Sequence, residues 1–162
     1  MSDLKENAQT SGTYTLIPLG YLLRQASAAH RLKMERALAD LNITPSQLLI
    51  LTMLSKQPGS SNADLSRMAS LTTPTVTVIV KNLKRQGALS SRPHAVHGRV
   101  QHLDLTELGI KLLADCRERA AKVEAELQAS MSASDIQQIS TWLRQVAMGD
   151  AGIKLSVTGT PA

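Results

Sequence analysis

The charged residues of this chain are unevenly distributed, and one stretch between Leu65 and Leu103 contains six basic residues but no Asp or Glu. The whole protein has 18 Lys and Arg against 13 Asp and Glu, a net charge of +5. Outside the stretch the counts are 12 and 13, so the entire positive excess lies within it. A surface of this charge attracts a polyanion. The six bases are Arg67, Lys81, Lys84, Arg85, Arg92 and Arg99.

The helix predicted after Thr72 gives the stretch an outward face suited to duplex DNA. Apolar residues at i, i+3, i+4 and i+7 predict a buried stripe of Val76, Ile79, Val80 and Leu83. The opposite face is small and hydroxylic near its start and cationic near its end. Such a helix can place its first turns against base edges and thymine methyls in the major groove, and its later cations against phosphates. The predicted DNA contacts are Thr73, Pro74, Thr75, Thr77, Val78, Lys81 and Arg85.

The alternative for this helix is an ordinary amphipathic helix whose charges keep it soluble. We favour DNA contact because the acid-free stretch continues into a predicted β-hairpin after Gly87, with strands at about 89–92 and 100–105. Arg92 and Arg99 flank the hairpin tip, where they could enter the neighbouring minor groove or grip its phosphates. The chain has no Phe, one Trp and two Tyr, which disfavours the aromatic stacking used to bind single strands and RNA.

Three histidines, His94, His97 and His102, lie in or near the hairpin, but their spacing does not form a recognisable zinc site. Zinc needs three or four converging ligands. We therefore interpret these histidines as phosphate-contacting or solvent-facing and predict no bound metal. The sequence also has no Gly-rich phosphate loop, no Ser/His/Asp arrangement and no paired carboxylates in a catalytic context. It predicts neither an enzyme nor a cofactor.

Two further residues lie on apolar helix faces, where packing competes with function. His30 lies in the apolar stripe of the first long helix. It is interpreted as a core or dimer-seam histidine, and a polar anchor in a ligand pocket is the alternative. Cys116 lies on the apolar face of a later helix. We predict a buried packing cysteine there, because a redox sensor needs an accessible, electropositive setting.

The elements that position these residues predict a mainly α fold. Their order is that of a winged helix-turn-helix DNA-binding lobe, about residues 44–105, set between long helices at 15–43 and 106–147 that form a dimerisation lobe. Residues 15–147 are thus predicted to be a single domain. Periodicity and capping signals place the helices at about 16–41, 45–55, 63–69, 73–86, 107–130 and 134–148.

The segments outside this domain are predicted to be a flexible N-terminal arm, residues 1–14, and a flexible C-terminal tail, residues 148–162. No apolar run approaches the roughly 20 residues of a membrane-spanning helix, and the first residues lack the apolar core of a signal peptide. We therefore expect a soluble protein of the bacterial cytoplasm with no membrane partner.

The residues on either side of the hairpin tip form two motifs. Residues 82–93 read Asn-Leu-Lys-Arg-Gln-Gly-Ala-Leu-Ser-Ser-Arg-Pro, and residues 98–109 read Gly-Arg-Val-Gln-His-Leu-Asp-Leu-Thr-Glu-Leu-Gly. They resemble the multiple antibiotic resistance regulator (MarR) family, whose pattern is Leu-x-x-x-Gly-Leu-(Val/Ile)-x-Arg, a wing with Asp-x-Arg, and Leu-Thr-x-x-Gly. Thr44-Pro45-Ser46-Gln47 before an apolar helix fits the same family. The resemblance spans about residues 16–147.

This resemblance implies a homodimeric repressor that binds a pseudo-palindromic operator in double-stranded DNA and is released by a small effector, such as an aromatic or phenolic acid. Effectors of the family bind between the dimer helices and the DNA-binding lobe, which keeps His30 as a candidate ligand contact. At matching positions Arg99 is the wing arginine, and Thr73 to Lys81 are the exposed recognition positions. His97 stands where the family usually has the aspartate that orients this arginine.

Two other functions also fit the basic surface. The first is a ligand-independent architectural DNA-binding protein, which would bind most duplexes with similar affinity. The second is a winged-helix interaction module whose basic face binds an acidic protein. A ligand-responsive transcriptional regulator, and a repressor rather than an activator, is the function that we favour from the sequence.

Overall fold

Side-chain caps define where most of the helices begin. The computed structural model describes residues 17–93 and 101–148. Thr44, Ser61, Thr72 and Thr106 each accept a hydrogen bond, 3.0–3.3 Å long, from the backbone N–H three residues later. The six helices described are α1 (Leu19–Ala37), α2 (Pro45–Lys56), α3 (Asn62–Ala69), α4 (Thr73–Arg85), α5 (Glu107–Gln128) and α6 (Ala133–Met148).

Two predicted helix ends were wrong. α1 was expected to reach residue 41, but it ends at Ala37 and a short 3-10 turn, Ala39–Leu41, follows. The cause is tertiary, because Leu38 is fully buried and its carbonyl accepts a hydrogen bond from Ile43 that turns the chain towards α2. α6 begins at Ala133, one residue before its predicted start, because Ser132 caps it. The predicted arm, residues 1–14, and the tail beyond residue 148 lie outside the described residues.

The predicted hairpin is confirmed. β1 (Leu89–Pro93) pairs antiparallel with β2 (Gln101–Leu105), in the register that joins Leu89 to Leu105. The base of the hairpin is held by the connection between α2 and α3. Gly59 N–H donates to the Leu103 carbonyl at 2.9 Å, and Leu103 N–H donates to the Ser60 carbonyl at 3.1 Å. This hairpin of β1 and β2, which we call the wing, therefore starts from a fixed position beside α2.

The core of the described residues is built from aliphatic side chains together with Met34, Met53 and Cys116. α2 runs through its centre and buries Ile50, Leu51 and Leu54. The predicted stripe of α4 is confirmed, since all four of its residues are buried: Val76, Ile79, Val80 and Leu83.

A close backbone contact joins α5 to the turn that follows α4. Thr106 N–H donates to the Ala88 carbonyl at 3.1 Å, and Thr106 Oγ1 donates to the Gly87 carbonyl at 2.6 Å. Gly109 faces the same turn so closely that a Cβ placed on it would lie 2.1 Å from the Ala88 oxygen. The start of α5 is therefore held against the turn that follows α4, and we call this contact the lobe junction.

The surface formed by α6 and the first turns of α1 is much less packed than the core. None of the side chains described in α6 is buried, and the first turns of α1 are also largely exposed. Leu22, Ile139 and Trp142 together leave a broad apolar surface there, with exposed fractions of 45%, 46% and 39%. Among the described helices, none combines the length and apolar character needed to cross a lipid bilayer.

Candidate nucleic-acid interface

A helix-turn-helix holds α4 at the surface. Ser70 adopts a left-handed conformation, φ 52°, at the end of α3, and Leu71 N–H donates back to the Ser66 carbonyl at 3.1 Å. The chain then turns into α4 within three residues, as in helix-turn-helix proteins. With its apolar stripe buried, α4 presents the opposite face to solvent. All seven predicted contacts on α4 are exposed: Thr73, Pro74, Thr75, Thr77, Val78, Lys81 and Arg85.

Three of the four threonine hydroxyls at the start of α4, those of Thr72, Thr75 and Thr77, already have hydrogen-bond partners, whereas the Thr73 hydroxyl forms no hydrogen bond with a described residue. Thr77 Oγ1 donates to the Thr73 carbonyl at 2.9 Å and accepts from Asn62 Nδ2 at 3.3 Å. Thr72 and Thr75 share a hydrogen bond between their hydroxyl oxygens, 2.7 Å apart. Val78, which follows Thr77, is 59% exposed. Apart from the Thr73 hydroxyl, the first two turns of the outward face thus present a largely apolar surface, and the bond from Asn62 links α3 to α4.

Acidic residues at the two ends of the acid-free stretch neutralise its outermost described bases. Asp64 forms an ion pair with Arg67, and hydrogen bonds from Ser61 lower the pKa of the Asp64 carboxyl, which keeps it charged at neutral pH. Asp104 Oδ2 lies 3.1 Å from Arg92 Nε across the hairpin. This pairing leaves less positive charge for DNA at these two positions than the sequence indicated.

The remaining described bases of the stretch lie on the second half of α4. Lys81 and Arg85 form no hydrogen bond or ion pair with any described residue. Lys84 donates to Ser91 Oγ at 2.7 Å and so lies beside β1. A band of available cations therefore begins one turn after Val78, on the same face.

The wing is described only at its base. Arg92 is exposed there, although it is held by Asp104. The predicted wing contact Arg99 lies outside the described residues, as do His94 and His97. His102 is described, and its Nδ1 contacts the Gly59 carbonyl. Among the described residues there is no cluster of three or more His, Cys, Asp or Glu that could hold a metal.

A second feature is an open apolar groove of about 520 Å³ between α1, α5 and α6, which lies among the helices predicted to dimerise and not, as expected for an effector site, between them and the DNA-binding lobe. His30 is half-buried in its wall, so the structure brings this predicted residue into a cavity but leaves both of its interpretations open. Trp142 and Leu143 of α6 form the facing wall. The polar members of the lining are Ser27, His30, Glu124, Gln128 and Ser140. Sequence periodicity could not find this groove, because α6 reaches α1 only through the fold.

Cys116 is fully buried, as predicted. Burial, with a smaller contribution from Asp115, raises the pKa of the Cys116 thiol from its ordinary 9.0 to about 11. Because the nucleophile is the thiolate, we expect native protein to react with iodoacetamide at pH 8 far more slowly than protein unfolded in urea. As the chain has one cysteine, mass spectrometry reads this site alone. Rapid stoichiometric labelling of native protein would contradict the packing role.

The described fold and this interface define a winged helix-turn-helix DNA-binding protein. A model of the MarR family matches residues 43–100. The HTH-type transcriptional repressor Rv2887 of Mycobacterium tuberculosis is 30% identical over 129 residues, which cover 80% of this chain and 93% of the relative. This chain belongs to the MarR family of DNA-binding transcriptional regulators, which are not in general enzymes.

Two solved structures are similar over nearly their whole length. A crystal structure of the S. aureus MepR–DNA complex is 26% identical, with a TM-score of 0.75, and covers 80% of this chain and 96% of that chain. The crystal structure of Mycobacterium tuberculosis Rv2887 in complex with salicylic acid is 29% identical, with a TM-score of 0.64 and the same coverage. The mainly α, winged helix-turn-helix fold is therefore confirmed.

Proposed function

We propose that this protein is a homodimeric repressor that binds a pseudo-palindromic operator and is released by a small aromatic or phenolic acid. The observation that carries the proposal is the outward face of α4, where an apolar surface is followed by the available cations Lys81 and Arg85. Apolar side chains suit base edges, and cations suit phosphates. The similar structure of MepR with DNA supports this use of the fold. Such a repressor works in the cytoplasm, where bacterial DNA lies.

The second copy of the chain is proposed to cover the apolar surface of α1 and α6. A monomer would leave a broad apolar patch exposed to water, and large exposed apolar patches mark interfaces. Its members have exposed fractions between 39% and 66%: Leu19, Leu22, Ile139, Trp142 and Val146. A two-fold dimer also matches a palindromic operator, because two copies of α4 about 34–36 Å apart meet successive major grooves. The partner's helices would close the groove beside His30 and leave room for a small ligand.

Dimerisation can be tested by sedimentation velocity. We expect the wild-type protein to sediment at twice the mass of one chain. Ile139→Glu places a charge on the exposed apolar face of α6 and should shift the population to monomer. Gln137→Glu adds the same charge at an exposed residue that does not line the groove, and it should remain dimeric. A monomeric wild-type protein would exclude the proposed dimer.

The effector is proposed to bind in the groove, with its ring against apolar side chains and its polar group towards His30. The complex of the relative Rv2887 with salicylic acid supports this chemical class. Binding would favour a spacing of the two α4 helices that does not fit the operator. The lobe junction can transmit this change, because it fixes α5 to the end of α4.

Salicylate is the probe for this part of the proposal. At about 100 times its Kd it should raise the melting temperature by about 5–10 °C, and it should release the operator. His30→Ala should reduce both effects, while Gln57→Ala, at an exposed site at the end of α2, should leave them unchanged. If salicylate released the operator equally from His30→Ala protein, the residue would be a packing histidine and not a ligand contact.

A further inference from the structure

We infer that the first half of α4 recognises the C5-methyl groups of thymines by apolar contact rather than recognising bases by hydrogen bonds. The inference rests on the proposed function and names the chemical feature of DNA that this face selects. Thymine presents a methyl group and an O4 acceptor in the major groove, whereas cytosine presents an N4 donor. An apolar side chain can use the methyl but gains nothing from the other groups.

The hydroxyls of Thr75 and Thr77 on this face are engaged within the protein, whereas that of Thr73, at the first residue of α4, forms no hydrogen bond with a described residue. The single proton of the Thr77 hydroxyl is donated to the Thr73 carbonyl, and the oxygen also accepts from Asn62. The Thr75 hydroxyl is turned towards Thr72, 2.7 Å away. What remains of Thr77 for a ligand is its methyl side. Pro74 has no polar side-chain atom and no backbone N–H.

Val78 completes the apolar face. It is 59% exposed, although β-branched residues are poor helix formers and are normally kept where they pack. The described fold does not bury the Val78 side chain, because α4 packs through the opposite stripe. A thymine methyl is an apolar partner of suitable size that the major groove supplies.

Asn, Gln, Arg and Lys side chains can form paired hydrogen bonds to a base, and the first half of α4, residues 73–78, contains none of them. Asn82 is half-buried in the cleft beside Thr44 and Gln47. Gln86 Nε2 donates to the Asn42 carbonyl at 3.2 Å. Lys81 follows Val78 by one turn and is the first exposed cation on this face. Apart from the Thr73 hydroxyl, recognition by the first two turns is therefore left to the apolar atoms of Pro74, Thr75, Thr77 and Val78.

Replacing thymine with uracil removes only the methyl and so tests the inference directly. Full-length protein is first used to select duplexes from a randomised library, and each thymine of a selected half-site is then changed to uracil. Loss of a contacted methyl should weaken binding about fourfold, or about 15-fold when both half-sites are changed. 5-Methylcytosine should restore part of the affinity lost when that thymine is changed to cytosine, because it returns the methyl.

Val78→Ala identifies the side chain involved. This variant should bind the thymine and uracil duplexes with nearly equal affinity at the position that Val78 contacts. Ile110→Ala is the matched control, since Ile110 is equally exposed, at 58%, but lies on α5, and it should keep the full thymine preference. A thymine preference that survives unchanged in Val78→Ala protein would overturn the assignment to this residue.

The outcomes separate this inference from the proposed function. If wild-type protein selects a palindrome but binds its thymine and uracil forms equally, the methyl contact is wrong and the operator-binding function stands. If no duplex is preferred over the others, the proposed function fails, and the inference fails with it.

Discussion

Replacing Gly109 by alanine is expected to lower the free energy of unfolding by about 3 kcal/mol. The new Cβ would lie 2.1 Å from the Ala88 carbonyl oxygen, and a backbone atom cannot rotate away as a side chain can. α5 must then move off the turn, which breaks the hydrogen bonds from Thr106 to Gly87 and Ala88. Alanine is preferred to glycine inside a helix by about 1 kcal/mol, but the overlap and the lost bonds outweigh that gain.

Urea unfolding at a fixed protein concentration measures this change, since the stability of a dimer depends on concentration. Gly20→Ala is the matched control, because Gly20 is also helical and a Cβ there meets nothing of its own chain within 4 Å. The control should be neutral or up to about 1 kcal/mol more stable. If Gly109→Ala protein were as stable as the wild type, the lobe junction could not be as tight as described.

Removing both available cations of α4, by Lys81→Ala together with Arg85→Ala, is expected to weaken operator binding about 100-fold, or about tenfold per lost charged contact. The loss should be similar for specific and unrelated duplexes, because phosphate contacts carry no sequence information. The slope of log K against log salt, which is negative, should also become shallower by about two. Fluorescence anisotropy over a salt series measures both quantities.

The control for this variant removes the same charge elsewhere. Lys111→Ala with Arg144→Ala takes two exposed bases from α5 and α6. It should leave the salt slope almost unchanged, apart from a small long-range effect of net charge. Equal losses in the two double variants would mean that α4 has no special role and that net charge alone attracts DNA.

Local signals explain why much of the fold could be predicted from the sequence. Thr44 before Pro45 and Thr72 before Pro74 are caps whose action is confined to one turn, and both begin helices where predicted. The buried stripe of α4 follows from helical periodicity alone. The winged helix-turn-helix order could be read from such elements because each is set by residues close in the chain.

Features that depend on distant residues were missed. Arg92 and Asp104 are twelve residues apart and meet only in the register of the hairpin, so the wing was expected to be more cationic than it is. The end of α1 depends on the burial of Leu38 against other elements. Thr106 and Gly109 were visible as a motif, but the backbone against which Gly109 packs could not be known before the fold.

The central claim is that the outward face of α4 recognises particular DNA sequences rather than DNA in general. It is tested most directly by comparing the affinity of the dimer for a selected palindrome with its affinity for a scrambled duplex of equal length at about 150 mM salt. We predict that the palindrome binds at least about 1,000-fold more tightly. Equal affinities for the two duplexes would contradict the claim and favour an architectural DNA-binding protein.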